Sequence, residues 1–371
     1  MIAGSAAIPH DPLGMTLADY AEARRTHPQA CALSYAELMR CGVGVELPRP
    51  TRQEYHEGVI KFCLAVGQTQ PLLESESVII PMNSYRGTSW YTLCVSSQVG
   101  CRMGCTFCET ARMGWLRNLS PGDIVRQRLA AQRLMPGEAS AAPSRFSYFA
   151  DGIQNVVFMG MGEPFDNFDN VVQAIRVFNE PRGMNIPLGH ITVSTVGRID
   201  GLHKLAALAR RQERDWWNLR LAISLNAADD QLRDTLMPIN KGMPLADLQR
   251  ALLDYPLSRK GRYLIEYVLI RGVNDSLCDA DRVAAWCRPL PCVVNVIPYN
   301  PQRAPAYDTP SEATVLRFMQ RLRAGGVFVK RRITQGRDLM GACGQLGNAA
   351  ARQPTRRAAH DSAPSCGHLP H

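Results

Sequence analysis

The chain has 371 residues, 46% of them hydrophobic, enough to bury a full core in one large or two modest domains. Its 42 Lys and Arg against 33 Asp and Glu leave a net charge of +9, which favours an anionic partner and makes RNA the natural candidate. There is no apolar run of about 18 residues, the start lacks the charged region of a signal peptide, and 12 scattered cysteines do not suit a small secreted disulfide framework, so a cytoplasmic protein with no membrane span is expected.

Residues 1–54 read as a short helical N-terminal region, with helices of about two turns at 19–25 and 35–40. Residues 55–90 read as a two-stranded extension, 58–66 and 77–81, carrying Glu76. From residue 91 the pattern changes. Short apolar strands at 91–96, 155–160, 191–195, 219–225, 263–270 and 292–298 alternate with helices at 120–134, 171–178, 245–253 and 279–286. That alternation predicts an α/β fold with a parallel sheet and crossover helices, and six such units make an open, partial (β/α)6 barrel over 91–346. A helix at 311–324 leads to a last strand at 327–333, and 347–371 read as a disordered tail holding His360, His368 and His371.

The segment Cys101-Arg-Met-Gly-Cys105-Thr-Phe107-Cys108 spaces its thiols as C-x3-C-x2-C. One short loop of that spacing can ligate three irons of a 4Fe–4S cluster and leave the fourth iron open for a small molecule. Gly100 and Gly104 allow the loop to curl. A structural zinc site would want a fourth ligand nearby, and no second C-x2-C or His pair follows. The spacing resembles that of the radical S-adenosylmethionine (SAM) enzymes.

Loops leave the carboxyl edge of a parallel sheet together, so residues at the strand ends share one site. Gly162 and Glu163 follow the second strand, and a carboxylate there could grip the ammonium of SAM. Ser194, Ser224, Asn226 and Asn300 end later strands with uncharged groups suited to a ribose, a carboxylate or an adenine edge. Each alone is equally a strand-end cap. Two further cysteines stand out. Cys94 lies on the strand before the cluster loop, and Cys343 sits between glycines after the basic residues Lys330, Arg331, Arg332 and Arg337, a setting that favours a thiolate and attracts phosphates. The cysteines at 31, 41, 63, 278, 287, 292 and 366 carry no spacing signal and are assigned to packing or surface.

Thr92-Leu-Cys94-Val-Ser-Ser-Gln98-Val-Gly-Cys101, Met159-Gly-Met-Gly-Glu-Pro164, Met237-Pro-Ile-Asn240-Lys241, Ala342-Cys343-Gly-Gln-Leu346 and the strand carrying Glu76 resemble the RlmN/Cfr family of radical SAM methyltransferases. Members act on an adenosine of ribosomal RNA. The resemblance runs over 76–346. It implies that Cys101, Cys105 and Cys108 ligate the cluster and that Gly162, Glu163, Ser194, Ser224, Asn226 and Asn300 hold SAM. It implies further that Cys343 carries a methyl group to adenine, that Glu76 takes the proton of the reacting carbon, and that Cys94 frees the product through a transient disulfide with Cys343. The implied partners are 23S rRNA and transfer RNA, with a reductase such as flavodoxin as electron donor, and the chain is expected to be a monomer.

The chain departs from the family in three places. Asn226 stands where the family usually has His. Only 75 residues precede Glu76, and the family's accessory helical domain is not recognisable among them. The connection at 82–91 is longer than in RlmN and closer to Cfr, bringing Arg86, Trp90 and Tyr91 as candidate base contacts. Methylation at C2 of adenine is the leading expectation. Cfr-like methylation at C8, the same chemistry on another substrate, and a non-catalytic cluster or zinc protein that binds RNA stay open.

Overall fold

The structure is a computed structural model, which describes residues 11–27, 33–41, 47, 49–67, 72–84, 87–135, 152–211, 215–333 and 335–347. It opens with helices α1 (Leu17–Thr26) and α2 (Tyr35–Cys41), close to their expected places. Thr16 and Asp19 cap α1 reciprocally, and Tyr20 meets Tyr35 at 5.5 Å between ring centroids. The lead is tied to the outside of the barrel by an Arg126–Asp11 ion pair.

Three antiparallel strands follow, β1 (Arg52–His56), β2 (Val59–Ala65) and β3 (Glu74–Asn83), and β3 pairs with β4 (Ser89–Cys94). The extension therefore contains one strand more than its apolar runs suggest. β1, Arg-Gln-Glu-Tyr-His, alternates half-buried and exposed positions and carries no apolar run, so periodicity misses an edge strand held by its pairing with β2. A small pair, β5 (Gln98–Gly100) and β6 (Trp115–Asn118), brackets the cluster loop and the short helix α3 (Glu109–Arg112).

The parallel part runs from β4 through β7 (Ile153–Phe158), β8 (Ile191–Thr195), β9 (Arg220–Ser224), β10 (Tyr263–Leu269) and β11 (Cys292–Pro298) to β12 (Val329–Arg331). Crossovers are made by α4 (Pro121–Leu134), α5 (Phe168–Phe178), α6 (Ile199–Arg210), α7 (Asp230–Leu236), α8 (Leu245–Asp254), α9 (Leu277–Cys287) and α10 (Glu312–Ala324). Together they form the expected α/β partial barrel. Two periods place the site. On β10, Tyr263, Ile265, Tyr267 and Leu269 are at most 1% exposed in the core, while Leu264, Glu266 and Val268 turn to interior cavities. Register sets Glu266 beside Ser224 on β9 and Asn295 on β11, so the polar residues form one inward layer. Among the described residues no helix is long and apolar enough to cross a membrane. Residues 348–371, including the tail histidines, and Arg86 lie outside the described residues.

Candidate active site

The loop 101–108 is closed at its base by β5 and β6 and by a hydrogen bond from Cys101 N to Gly114 O (2.9 Å). Gly100 (φ +73°) and Gly104 (φ +75°) both take the left-handed backbone, and a Cβ on Gly100 would strike the Gly114 carbonyl. Thr106 N donates to Leu236 O (3.0 Å), and Phe107 packs with Leu236, Met237 and Tyr299 in a small apolar cluster of its own. The three thiols line one cavity. Among the described residues no three His, Cys, Asp or Glu side chains converge as ligands of a single ion would. Burial pushes the Cys101 thiol up to about 12 and raises Cys105 and Cys108, with the Cys108 charge adding to the rise at the other two. Such thiols ionise against metal cations that displace their protons.

The same cavity collects the strand-end residues. Gly162 (φ +96°) passes so close to Gln98 that an added Cβ would lie 2.6 Å from the Gln98 Cβ. Gln98 in turn accepts from Glu163 N (2.9 Å) and donates to Asn118 and Asp166. Glu163 is 2% exposed, and its carboxylate accepts from Phe165 N (3.0 Å) and Val196 N (2.8 Å). Burial raises its pKa to about 7, against the lowering effect of those N–H bonds. Ser194 and Ser224 also line the cavity.

Asn226 lines it in the left-handed region (φ +57°), where Asn is tolerated better than most residues. Its carboxamide oxygen accepts from Val268 N (2.8 Å) and its nitrogen reaches Met237 Sδ (3.2 Å), which leaves one amide N–H for a ligand. Asn300 lines the cavity too, and its amide is already shared between the Cys343 carbonyl (3.2 Å) and Arg337 (3.3 Å).

Cys343 lies on a strap, 339–347, held by hydrogen bonds from Glu109 N to Gly344 O (2.8 Å), Gln345 Nε2 to Pro301 O (2.7 Å) and Thr110 Oγ1 to Leu346 O (2.5 Å). It lines the cluster-side cavity and also a second cavity of about 500 Å³. Cys94 lines only the second. Both thiols are free, and burial pushes Cys94 up to about 12, with the Cys343 charge adding and Arg332 opposing. Arg332 borders both cavities, 3.8 Å from the Glu266 carboxylate, and the Cys343 charge is foremost in raising its pKa. The neighbouring Lys330 and Arg331 line the second cavity, as do Met82 and Asn83 of the long connection. Trp90 and Tyr91 are half-buried on β4.

Glu76 borders neither cavity. It is 2% exposed on β3, ion-paired with Lys61 (2.9 Å) and Arg52 (3.4 Å), and it accepts from Gly347 N (3.1 Å). Arg233, which sequence patterns did not single out, supports the site from behind. It donates to Leu225 O (3.0 Å), Asn240 Oδ1 (2.7 Å), Val196 O (2.7 Å) and Ser224 O (3.1 Å), tying α7 to the ends of β8 and β9. The only local trace of this role is the Asn240 of Met-Pro-Ile-Asn, seven residues on.

The sequence pattern of the Radical SAM superfamily matches residues 95–282. The chain is 41% identical over 276 residues to a probable dual-specificity RNA methyltransferase RlmN of Protochlamydia amoebophila, covering 74% of this chain and 70% of that protein. It is 40% identical to the dual-specificity RNA methyltransferase RlmN of Syntrophotalea carbinolica, over 78% of this chain and 70% of the relative. The chain belongs to the RlmN family of radical SAM proteins. A crystal structure of a radical SAM methyltransferase from Sphaerobacter thermophilus superposes with a TM-score of 0.74 at 33% identity, covering 91% of this chain and 99% of that one.

Membership in this family brings a 4Fe–4S cluster and SAM, and the residues fit both. Three thiols border one cavity, Cys101 and Cys105 buried and Cys108 half-buried, and a buried carboxylate with a raised pKa stands in the same cavity to meet a cation. In this RlmN-family chain, Cys101, Cys105 and Cys108 could hold the cluster, and Glu163 with its neighbours in the same cavity could hold SAM.

Proposed function

We propose that this chain is an RNA adenosine methyltransferase that modifies C2 of an adenosine in 23S rRNA, and in transfer RNA, with Cys343 as methyl carrier. The observation that carries the reading is the position of Cys343, which borders the cavity of the cluster thiols and, on its other side, the cavity shared with Cys94. A carrier must face donor and acceptor in turn, and no ordinary SAM displacement can methylate an electrophilic amidine carbon. When bound, the cluster and SAM would supply the methyl group and the one-electron chemistry that removes a hydrogen atom from the carried methyl and takes up the unpaired electron left once it has joined the base.

The chain's own residues do the rest. The Cys343 thiolate takes the methyl group with Arg332 beside it, and holds it as a thioether next to the second cavity. Once the carbon–carbon bond to the base has formed, Glu76 accepts the proton of the adenine carbon. Cys94 Sγ, having lost its own proton, then attacks Cys343 Sγ. The S–S bond forms as the bond from Cys343 sulfur to the transferred carbon breaks, and the released electron pair is protonated to leave a methyl group on the base. A cellular thiol reductant resets the disulfide. Glu76 lies off the cavity wall, so its use as a base requires that it leave Lys61.

Cfr-like methylation at C8 is the second reading, favoured by the long segment 82–91, whose first residues Met82 and Asn83, at the end of β3, line the second cavity. One experiment separates the two. The protein is expressed in a bacterium lacking its own RlmN, ribosomal and transfer RNA are digested separately, and nucleosides are compared by mass spectrometry with 2-methyladenosine and 8-methyladenosine. Restored 2-methyladenosine supports the proposal, 8-methyladenosine moves the chain to the second reading, and neither product overturns both. Cys343→Ala should abolish the product while leaving the iron content unchanged.

A further inference from the structure

Among the described residues, Lys61 and Glu76 form an ion pair in which both side chains are only 3% exposed. Burying two charges costs each its hydration, and such a pair is often no more stabilising than apolar residues of the same volume. Stability alone is therefore a poor account of it. Each partner has a second engagement, and both are on the strap that carries Cys343. Lys61 Nζ donates to Met340 O (3.0 Å) and Leu339 O (3.4 Å), just before Cys343. Glu76 Oε2, the atom that faces Lys61, accepts from Gly347 N (3.1 Å), just after it. One ion pair across adjacent strands β2 and β3 thus grips both ends of the segment 339–347.

We infer that this pair is a clasp that sets the place of Cys343, and that Lys61 is a positioning residue for the methyl-carrying thiol. The inference deepens the proposed function and rests on Cys343 as carrier. Around Glu76 the other polar and titratable groups are Cys63 on β2, Arg52 on β1, the Gly347 N–H, and the Ser96 hydroxyl on its main-chain carbonyl. Arg52 divides its guanidinium among Glu76, Glu54 (3.6 Å) and Cys63 Sγ (3.2 Å), so Lys61 provides the closer hold. Because Lys61 and Gly347 share one oxygen, a proton taken up by Glu76 weakens both grips together. Drawing Glu76 into use as a base and loosening the strap are then a single event, timed to the stage at which Cys94 must reach Cys343.

The test reads the strap without any RNA chemistry, so that its failure is distinct from failure of the methyltransferase reading. Iron–sulfur-loaded protein is treated with N-ethylmaleimide, and labelling of Cys343 is followed by peptide mass spectrometry, with buried Cys287 and Cys292 as internal controls. Lys61→Met should raise the Cys343 labelling rate about tenfold or more, Glu76→Gln should raise it several-fold, and Lys61→Arg should restore slow labelling. Rates within twofold of the parent in both Lys61→Met and Glu76→Gln would overturn the clasp. Faster labelling of Cys287 and Cys292 along with Cys343 would also overturn it, by showing that the pair serves global stability. If Lys61→Met does not accumulate as folded protein, Glu76→Gln against the parent decides by the same criterion.

Discussion

Replacing Arg233 with Lys is the sharpest check on how the cofactor cavity is held. The guanidinium is 1% exposed and spends donors on four acceptors, the buried Leu225 carbonyl and Asn240 side chain and the half-buried carbonyls of Val196 and Ser224. Burial lowers its pKa to about 10, so it remains a cation at neutral pH, with Asp230 and Asp234 acting against that lowering. A lysine offers three donors from one nitrogen and cannot reproduce a planar fork aimed at two strand ends and the turn after α7. Two of the acceptors lose their donor, each at about 1–3 kcal/mol, for a total of about 2–6 kcal/mol. Urea denaturation followed by circular dichroism measures this directly, because the slope should stay constant while the midpoint falls. A second effect should accompany it. Val196 N holds Glu163, and Ser224 lines the cavity, so SAM affinity in equilibrium dialysis should drop by about tenfold, a difference of about 1.4 kcal/mol. A variant within about 1 kcal/mol of the parent and with unchanged SAM affinity would refute the assignment of Arg233 as the brace of the site.

Three further outcomes are expected. Gly162→Ala combines a positive φ with a Cβ 2.9 Å from the immobile Gln98 backbone nitrogen, and should cost about 2–5 kcal/mol in denaturant titration, whereas an alanine placed at open Gly242 should change little. Glu163 has a folded pKa of about 7 against an ordinary 4.5, so the cofactor-free fold holds a proton that the unfolded chain has lost; stability should therefore fall as pH rises through that window, SAM should bind more tightly over the same rise by expelling the proton, and Glu163→Gln should flatten both profiles. Loading iron and sulfide into cluster-free protein at pH 7.5 should release one proton from each of Cys101, Cys105 and Cys108 over and above those that hydrosulfide gives up on becoming bridging sulfide, read with an indicator dye in weak buffer, and a release equal to the hydrosulfide share alone would mean the thiols are already ionised.

Much of this protein was legible along the chain because its signals are local. The cluster loop depends on cysteines within eight positions and on glycines at its bends, and short-range spacing survives unchanged into the structure. Alternating apolar runs and helical stretches likewise announced the parallel barrel, since each unit must bury its own face. The edge strand β1 escaped, because what holds Arg-Gln-Glu-Tyr-His extended is its hydrogen-bonded neighbour β2.

What folding alone decided is how distant residues share atoms. Spacing could not reveal that the Asn226 carboxamide is largely engaged by Val268 and Met237, or that Arg233 spans two strand ends through carbonyls that have no side-chain identity. Nor could it reveal that Glu76 meets Gly347, 271 residues on, and shares with Lys61 the task of holding the Cys343 strap. Residue types and their local order determined which chemistry this chain can host. The three-dimensional packing determined which of those groups face a cavity and which hold others in place, because burial and hydrogen-bond partners are properties of the folded neighbourhood.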